Sequence, residues 1–229
     1  MLKPIKSLTL VEQTNDQLLS FIAEQSLQAG DSLPSIAHLS ETLGASRAVI
    51  RESFRNLEAR GIIEVANGRR ARIKPVTCEP LMDYFTRFIQ VEDRAQEEFT
   101  EIRIALELQC IKLAVERGTA SQLAEIQNTV SQMRRYLAFQ DRFVALDMQF
   151  HLQIARATQN TMMVYLLESL RDAIKSCIEQ GLSARPDPHQ MESVQLVHER
   201  LVDALVERDC EKAQKALLAH FYETSKLHV

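Results

Sequence analysis

The chain has 229 residues, 45% of them hydrophobic and 25% charged, with a formal net charge of -4. Those proportions suit a folded globular protein and argue against disorder, and no run approaches the roughly 18 apolar residues of a membrane span. The opening MLKPIKSLTL lacks the continuous apolar stretch of a secretory leader, so a cytoplasmic protein without membrane association is expected. The four cysteines, Cys78, Cys110, Cys177 and Cys210, are scattered without a CxxC pair and signal neither a zinc knuckle nor a redox motif.

Residues 9–28 carry Val11, Leu18, Leu19, Ile22 and Leu27 at helical spacing and stop at Ala29-Gly30-Asp31, which predicts a first helix. Pro34 is placed to open a second, IAHLSETL, which runs into Gly44. Ser46 is a suitable N-cap and Gly61 a suitable stop for a third, SRAVIRESFRNLEARG. Two helices joined by a glycine-containing turn make a helix-turn-helix. IIEV, Asn67-Gly68 and RRARIKP then read as a hairpin, which would be the wing of a winged helix.

Charge is uneven along the chain. Between Gly44 and Pro75 lie Arg47, Arg51, Arg55, Arg60, Arg69, Arg70, Arg72 and Lys74 against only Glu52, Glu58 and Glu64. A basic block in an acidic protein points to a polyanion partner. In a helix-turn-helix the second helix enters the DNA major groove by its first turn, here Ser46-Arg47-Ala48-Val49-Ile50-Arg51. Arg47 and Arg51 share a face and would meet guanine or phosphate, Ser46 would meet phosphate, and Arg69, Arg70 and Arg72 would follow the backbone or the minor groove. The alternative is a solvated basic face; the glycine turn, the caps and the Asn-Gly hairpin agree with the winged helix instead.

Residues 75–80, PVTCEP, hold two prolines and no periodicity. The domain expectation is a winged helix-turn-helix over 1–75, a linker over 76–79 and an all-helical domain over 80–229. Helices are predicted near 80–90, 97–117, 120–138, 142–157, 161–180, 190–208 and 210–226, with no strand-like alternation. The fold class is therefore mainly α, a winged helix followed by an antiparallel helical bundle.

Several of these helices have polar residues on their apolar stripes. In RFVALDMQFHLQIARATQN, Phe143, Leu146, Phe150 and Ile154 form the stripe, and Asp147 and His151 lie within it. His198 interrupts Val194, Val197, Leu201 and Leu205, and His220 interrupts Ala213, Ala216, Leu217 and Phe221. One such histidine reads most simply as a hydrogen-bonded core residue. An Asp and three His from three helices, two of them at i and i+4, instead suit an N/O metal site for zinc, nickel, manganese or iron. Arg103 lies among Phe99, Ile102, Leu106, Cys110 and Leu113. It would need an anion, either a salt-bridge partner among Glu101, Glu107 and Asp147 or the carboxylate of a ligand.

The run GDSLPS…LSETLGASRAVIRESFRNLEARGII resembles the N-terminal winged helix of GntR-family bacterial transcription regulators across nearly all of residues 9–75. It departs from that pattern at Ile36 and Ala37, where the family has an acidic and then a basic residue, and in RARI, where the wing usually ends Gly-Thr-Phe-Val. One family DNA contact is thus missing at Ala37, and Arg70 or Arg72 would compensate. TEIRIALELQCIKLA, the D-x-x-F-H of DMQFH, the following ATQN, His198 and His220 resemble the FCD ligand-binding domain of FadR-type regulators over roughly 80–226. That resemblance implies a divalent metal, zinc first, on Asp147, His151, His198 and His220, with Arg103 and Asn160 on a small carboxylate effector. It also implies a homodimer on operator DNA, acting as a metabolite-responsive repressor rather than an enzyme. The alternative is a metal-dependent enzyme for a small carboxylate fused to a DNA-binding head; no HExxH, nucleophile motif or stripe-facing Glu marks a general base for it.

Overall fold

The computed structural model describes residues 8–66, 69–92, 94–175 and 188–225. They form two compact units, the first ending at Pro80 and the second starting at Leu81. Among the described residues no helix is long and apolar enough to cross a membrane.

The first unit holds α1 (Leu10–Glu24), α2 (Ile36–Leu43) and α3 (Arg47–Ala59). Each begins where a side-chain oxygen can take an otherwise unpaired backbone N–H: Thr9 with Glu12 in a reciprocal capping box, Ser35 on His38, and Ser46 on Val49. Gly44 closes α2 at φ 64°, a left-handed turn that glycine adopts without steric cost. α1 ends earlier than the predicted residue 28, because the chain leaves the helix at Ser26, whose φ is 51°. Leu18, Leu39, Ile50, Phe54 and Leu57 pack with Leu33, Ile63 and Ile73 into one core, each such side chain contributing about 1.5–3 kcal/mol by leaving water.

The wing strands are shorter than IIEV and RRARIKP suggest. β1 (Ile63–Glu64) pairs antiparallel with β2 (Arg72–Ile73), Ile63 opposite Ile73 and Glu64 opposite Arg72. The expected Asn67-Gly68 turn lies outside the described residues. On the other edge of β2, Ser32 bridges Arg72, and Gly30 N–H donates to Ile73 O at 2.8 Å while Ile73 N–H donates to Asp31 O at 2.9 Å. The stretch expected only to link α1 to α2 thus serves as a third rung of the sheet.

Among the described residues, the regular elements from Glu79 onward are all helices: α4 (Glu79–Val91), α5 (Ala95–Arg117), α6 (Ala120–Arg135), α7 (Gln140–Ala157), α8 (Thr161–Ser169), α9 (Pro188–Val206) and α10 (Cys210–Ser225). α4 begins inside the expected linker 76–79. The single helix expected over 161–180 is broken at Leu170, whose N–H is shared between Leu166 O and Leu167 O; helix resumes over 171–175, and 176–180 lie outside the described residues. α7 packs on α5 and α6, α9 on α10 and α6, and α10 on α5. Ile111, Met133, Phe150, Leu201 and Leu217 fill the centre.

One junction fixes how α5 enters this bundle. A Cβ on Gly118 would stand 2.6 Å from Ala114 O, so no larger residue fits without a shift. Arg208 then caps the end of α5 by donating from Nη1 to Val115 O at 2.6 Å and from Nη2 to Gly118 O at 2.5 Å.

Candidate functional site

Asp147 and His151 occupy successive turns of α7, His198 sits on α9 and His220 on α10. The helical period that places Phe143, Phe150 and Ile154 in the core carries Asp147 and His151 in with them. All four are buried, with exposures of 5%, 5%, 0% and 1%. One ligand atom from each falls in a group whose members all lie within 4.8 Å of one another. His198 and His220 have ring centroids 4.4 Å apart, and His151 and His220 are 4.9 Å apart.

The short contacts inside this group are poorly aligned as hydrogen bonds. Asp147 Oδ1 is 2.9 Å from His198 Nε2 and 3.8 Å from His151 Nε2. Yet Nε2 of His151, both ring nitrogens of His198 and Nδ1 of His220 have no aligned hydrogen-bond partner. Buried nitrogens in that condition cost about 1–3 kcal/mol each unless something else engages them. Lone pairs converging on a common centre rather than on one another are what a bound cation requires. The donor set, one carboxylate and three imidazoles, fits a divalent ion of the zinc, nickel, manganese or iron class.

The electrostatics favour the metal-binding protonation states. Burial and the neighbouring His198 and His151 rings hold the His220 pKa well below that of an ordinary imidazole, so the ring is neutral. Burial opposes charge on Asp147, but contact with His198 and the proximity of the other two rings outweigh it and keep the carboxyl ionised, well below the usual carboxylate range. Neutral imidazole and ionised carboxylate are the forms that ligate.

Arg103, on α5, is buried beside this cluster. Of its three candidate partners the structure selects Glu107, one turn on: Arg103 Nε donates to Glu107 Oε1 at 2.6 Å. The guanidinium also lies over the Phe221 ring, with Cζ 5.0 Å from the centroid, a cation–π contact. Burial pushes the Glu107 carboxyl up, but the Arg103 charge and the contact with His151 bring it down further and keep it ionised. Arg103, Glu107 and His151 border a cavity of about 20 Å³, lined also by Leu167, Arg171 and Ile174, which is room for a single water.

Asn160 is not among the residues lining this cavity. Its side-chain oxygen accepts from Met162 N–H at 3.0 Å and Met163 N–H at 3.4 Å and so caps α8. Glu107, four positions after Arg103 on the same face, is offered by the sequence as one of three Arg103 partners. Its second contact, with Nδ1 of His151 on α7, has no sequence signal.

In the first unit, Ser46, Arg47 and Arg51 are exposed on α3, and Arg69 and Arg70 are exposed on the wing. Arg47, Arg51, Arg69 and Arg70 line one groove together with Ile36 and Ala37. Arg72 is exposed on β2, opposite Glu64. Ser46 spends its hydroxyl oxygen on the Val49 N–H at 3.3 Å, leaving the hydroxyl proton to donate.

Comparison with known proteins places both units. Residues 10–73 match the bacterial regulatory proteins of the gntR family, and residues 98–223 match the FCD domain. The Glc operon transcriptional activator of Escherichia coli strain K12 is 28% identical over 230 residues, covering 95% of this chain and 88% of that protein. The HTH-type transcriptional regulator LutR of Bacillus subtilis strain 168 is 26% identical over 202 residues, covering 85% and 90%. The HTH-type transcriptional repressor NanR of Cronobacter sakazakii is 24% identical over 221 residues, covering 95% and 85%. The solved structure of Streptococcus agalactiae GntR superposes with a TM-score of 0.72 at 26% identity, covering 94% of this chain and 99% of that one. These relatives are transcription regulators, not enzymes. With a winged helix-turn-helix ahead of an FCD helical domain, the chain belongs to the GntR family of DNA-binding transcriptional regulators.

Proposed function

We propose that the chain is a homodimeric cytoplasmic regulator whose winged heads bind operator DNA and whose bundle senses a small organic or sugar acid through a divalent metal, zinc before nickel, manganese or iron. The observation that carries the reading is the convergence of Asp147, His151, His198 and His220 within 4.8 Å in the bundle interior, next to the buried Arg103. A bound ion would supply Lewis-acid attraction for an oxygen of the acid. Arg103 keeps its two Nη groups for a carboxylate, since only Nε is spent on Glu107. Asn160 would offer its amide N–H group, its oxygen being spent on the α8 cap. Ser46, Arg47, Arg51, Arg69, Arg70 and Arg72 would contact the operator, two half-sites about one helical turn, ~34 Å, apart.

The acid acts only by binding differently to DNA-competent and DNA-incompetent arrangements, and we read the outcome as repression relieved by the acid. The test is metal content of the purified protein by elemental mass spectrometry, followed by thermal-shift titration with a panel of sugar acids and dicarboxylates. About one ion per chain and a Tm rise with one acid, abolished in Arg103→Ala, is the expected result. No ion after reconstitution refutes the metal. An ion whose removal unfolds the bundle, with no response to any acid, makes it purely structural.

A further inference from the structure

Glu107 is spent on both sides. It is 3% exposed, its Oε1 holds the Nε of Arg103 at 2.6 Å, and its Oε2 lies 2.5 Å from Nδ1 of His151. The opposite edge of the same imidazole, Nε2, faces Asp147 Oδ1 at 3.8 Å, on the side where the four candidate ligands gather. An N···O approach of 2.5 Å lies inside ordinary contact and is tenable only with a proton between the two atoms, even though the ring is turned off the ideal hydrogen-bond line. A neutral imidazole has one N–H and one lone pair. With the N–H committed to Glu107 at Nδ1, the lone pair is at Nε2.

From this we infer that Glu107 is a positioning residue of the metal site: it fixes His151 in the tautomer that presents Nε2 to the ion, and through its other oxygen it ties that ligand to Arg103. The inference rests on the metal reading above and goes beyond it, because it assigns to a carboxylate that touches no ion the control of one ligand. It also makes a single side chain of α5 the mechanical link between the ion's shell on α7 and the proposed acid clamp. An ionised carboxylate behind a ligating imidazole raises the basicity of the ligating nitrogen, and loss of such a partner typically lowers metal affinity about 10–100-fold. A glutamine in its place can still accept from Nδ1 through its carbonyl oxygen. Its NH₂ would then meet the Arg103 guanidinium, donor against donor, so the two contacts cannot both be kept.

The test measures the zinc dissociation constant of the full-length protein by competition with a chromophoric chelator, in the wild type, Glu107→Gln, His151→Ala and the double variant. The inference expects Glu107→Gln to weaken zinc about 10–100-fold and to have no further effect once His151 is gone, because the effect passes through that ring. A loss of equal size in both backgrounds would mean that Glu107 only supports the fold, and the inference would be overturned. Unchanged affinity in Glu107→Gln overturns it too, while leaving the metal reading intact; absence of zinc binding by the wild type removes that reading itself, and the inference with it. Should Glu107→Gln fail to fold, the wild type decides the matter alone. Two-bond ¹H–¹⁵N spectra of the zinc-loaded protein should show His151 protonated at Nδ1 and ligating through Nε2, and ligation through Nδ1 would refute the assignment.

Discussion

The two units hold their charge in opposite ways. In the winged head Arg47, Arg51, Arg69, Arg70 and Arg72 are exposed, and they stand over an apolar core built from Leu18, Ile50, Phe54 and Leu57. In the helical unit Arg103, Glu107, Asp147, His151, His198 and His220 are buried inside the core itself. Chemistry on the surface is paid for in neither packing nor desolvation, so a head of this design can change its contacts without disturbing its fold. Interior chemistry must be satisfied collectively, because removing one member leaves the others buried and unpartnered.

Three experiments sharpen that contrast. Asp147→Asn removes the only carboxylate among the four candidate ligands. Zinc affinity should fall by more than the about 10–100-fold typical of an outer-shell partner, and the zinc-dependent rise in Tm should vanish with it; retention of both would break the assignment of the cluster. Arg47→Ala, in the head, should weaken specific operator binding by about 1–3 kcal/mol while Tm stays where it was, since the side chain is exposed at the start of α3. A drop in Tm, or unchanged affinity measured by fluorescence anisotropy, would show that the head does not separate contact from fold.

The smallest effect is on pH dependence. His220 has its pKa lowered by burial and by the adjacent rings, so around and below the ordinary imidazole value of about 6.5 the unfolded chain binds a proton that the folded chain does not. Stability of the metal-free protein should be full above that value and decline as the pH falls through it, with Asp147 and Glu107, both held ionised, adding further loss below the usual carboxylate range. Urea melts of metal-free protein between pH 7.5 and 5 should show the decline. His220→Phe should flatten its upper part.

Most of the site was legible because a period of 3.6 residues is a strong constraint: a polar residue in phase with Phe143, Phe150 and Ile154 can point nowhere but inward. The caps were legible for a similar reason, since Thr9, Ser35 and Ser46 each answer an unpaired N–H at a fixed offset. What escaped had no periodic signature. Gly30–Leu33 joins the wing sheet through backbone atoms alone, too short a run to show alternation. Leu170 breaks the helix after α8 without a Gly or Pro to announce it. Glu107 is legible only as one of three partners for a buried Arg103, and its contact with His151 is not, because sequence gives spacing and not the orientation of α5 against α7. Asn160 is expected at the site by resemblance alone; its oxygen caps α8, which leaves its amide N–H group for a ligand.

The space beside His151 has room for about one water, about 20 Å³, and that size has a thermodynamic consequence. An acid larger than water would fit there only with some displacement of the Leu167, Arg171 and Ile174 side chains. Part of its contact energy would go into that rearrangement, and its affinity would be lower than the contacts alone give. Among acids of like charge, the smaller would then be preferred.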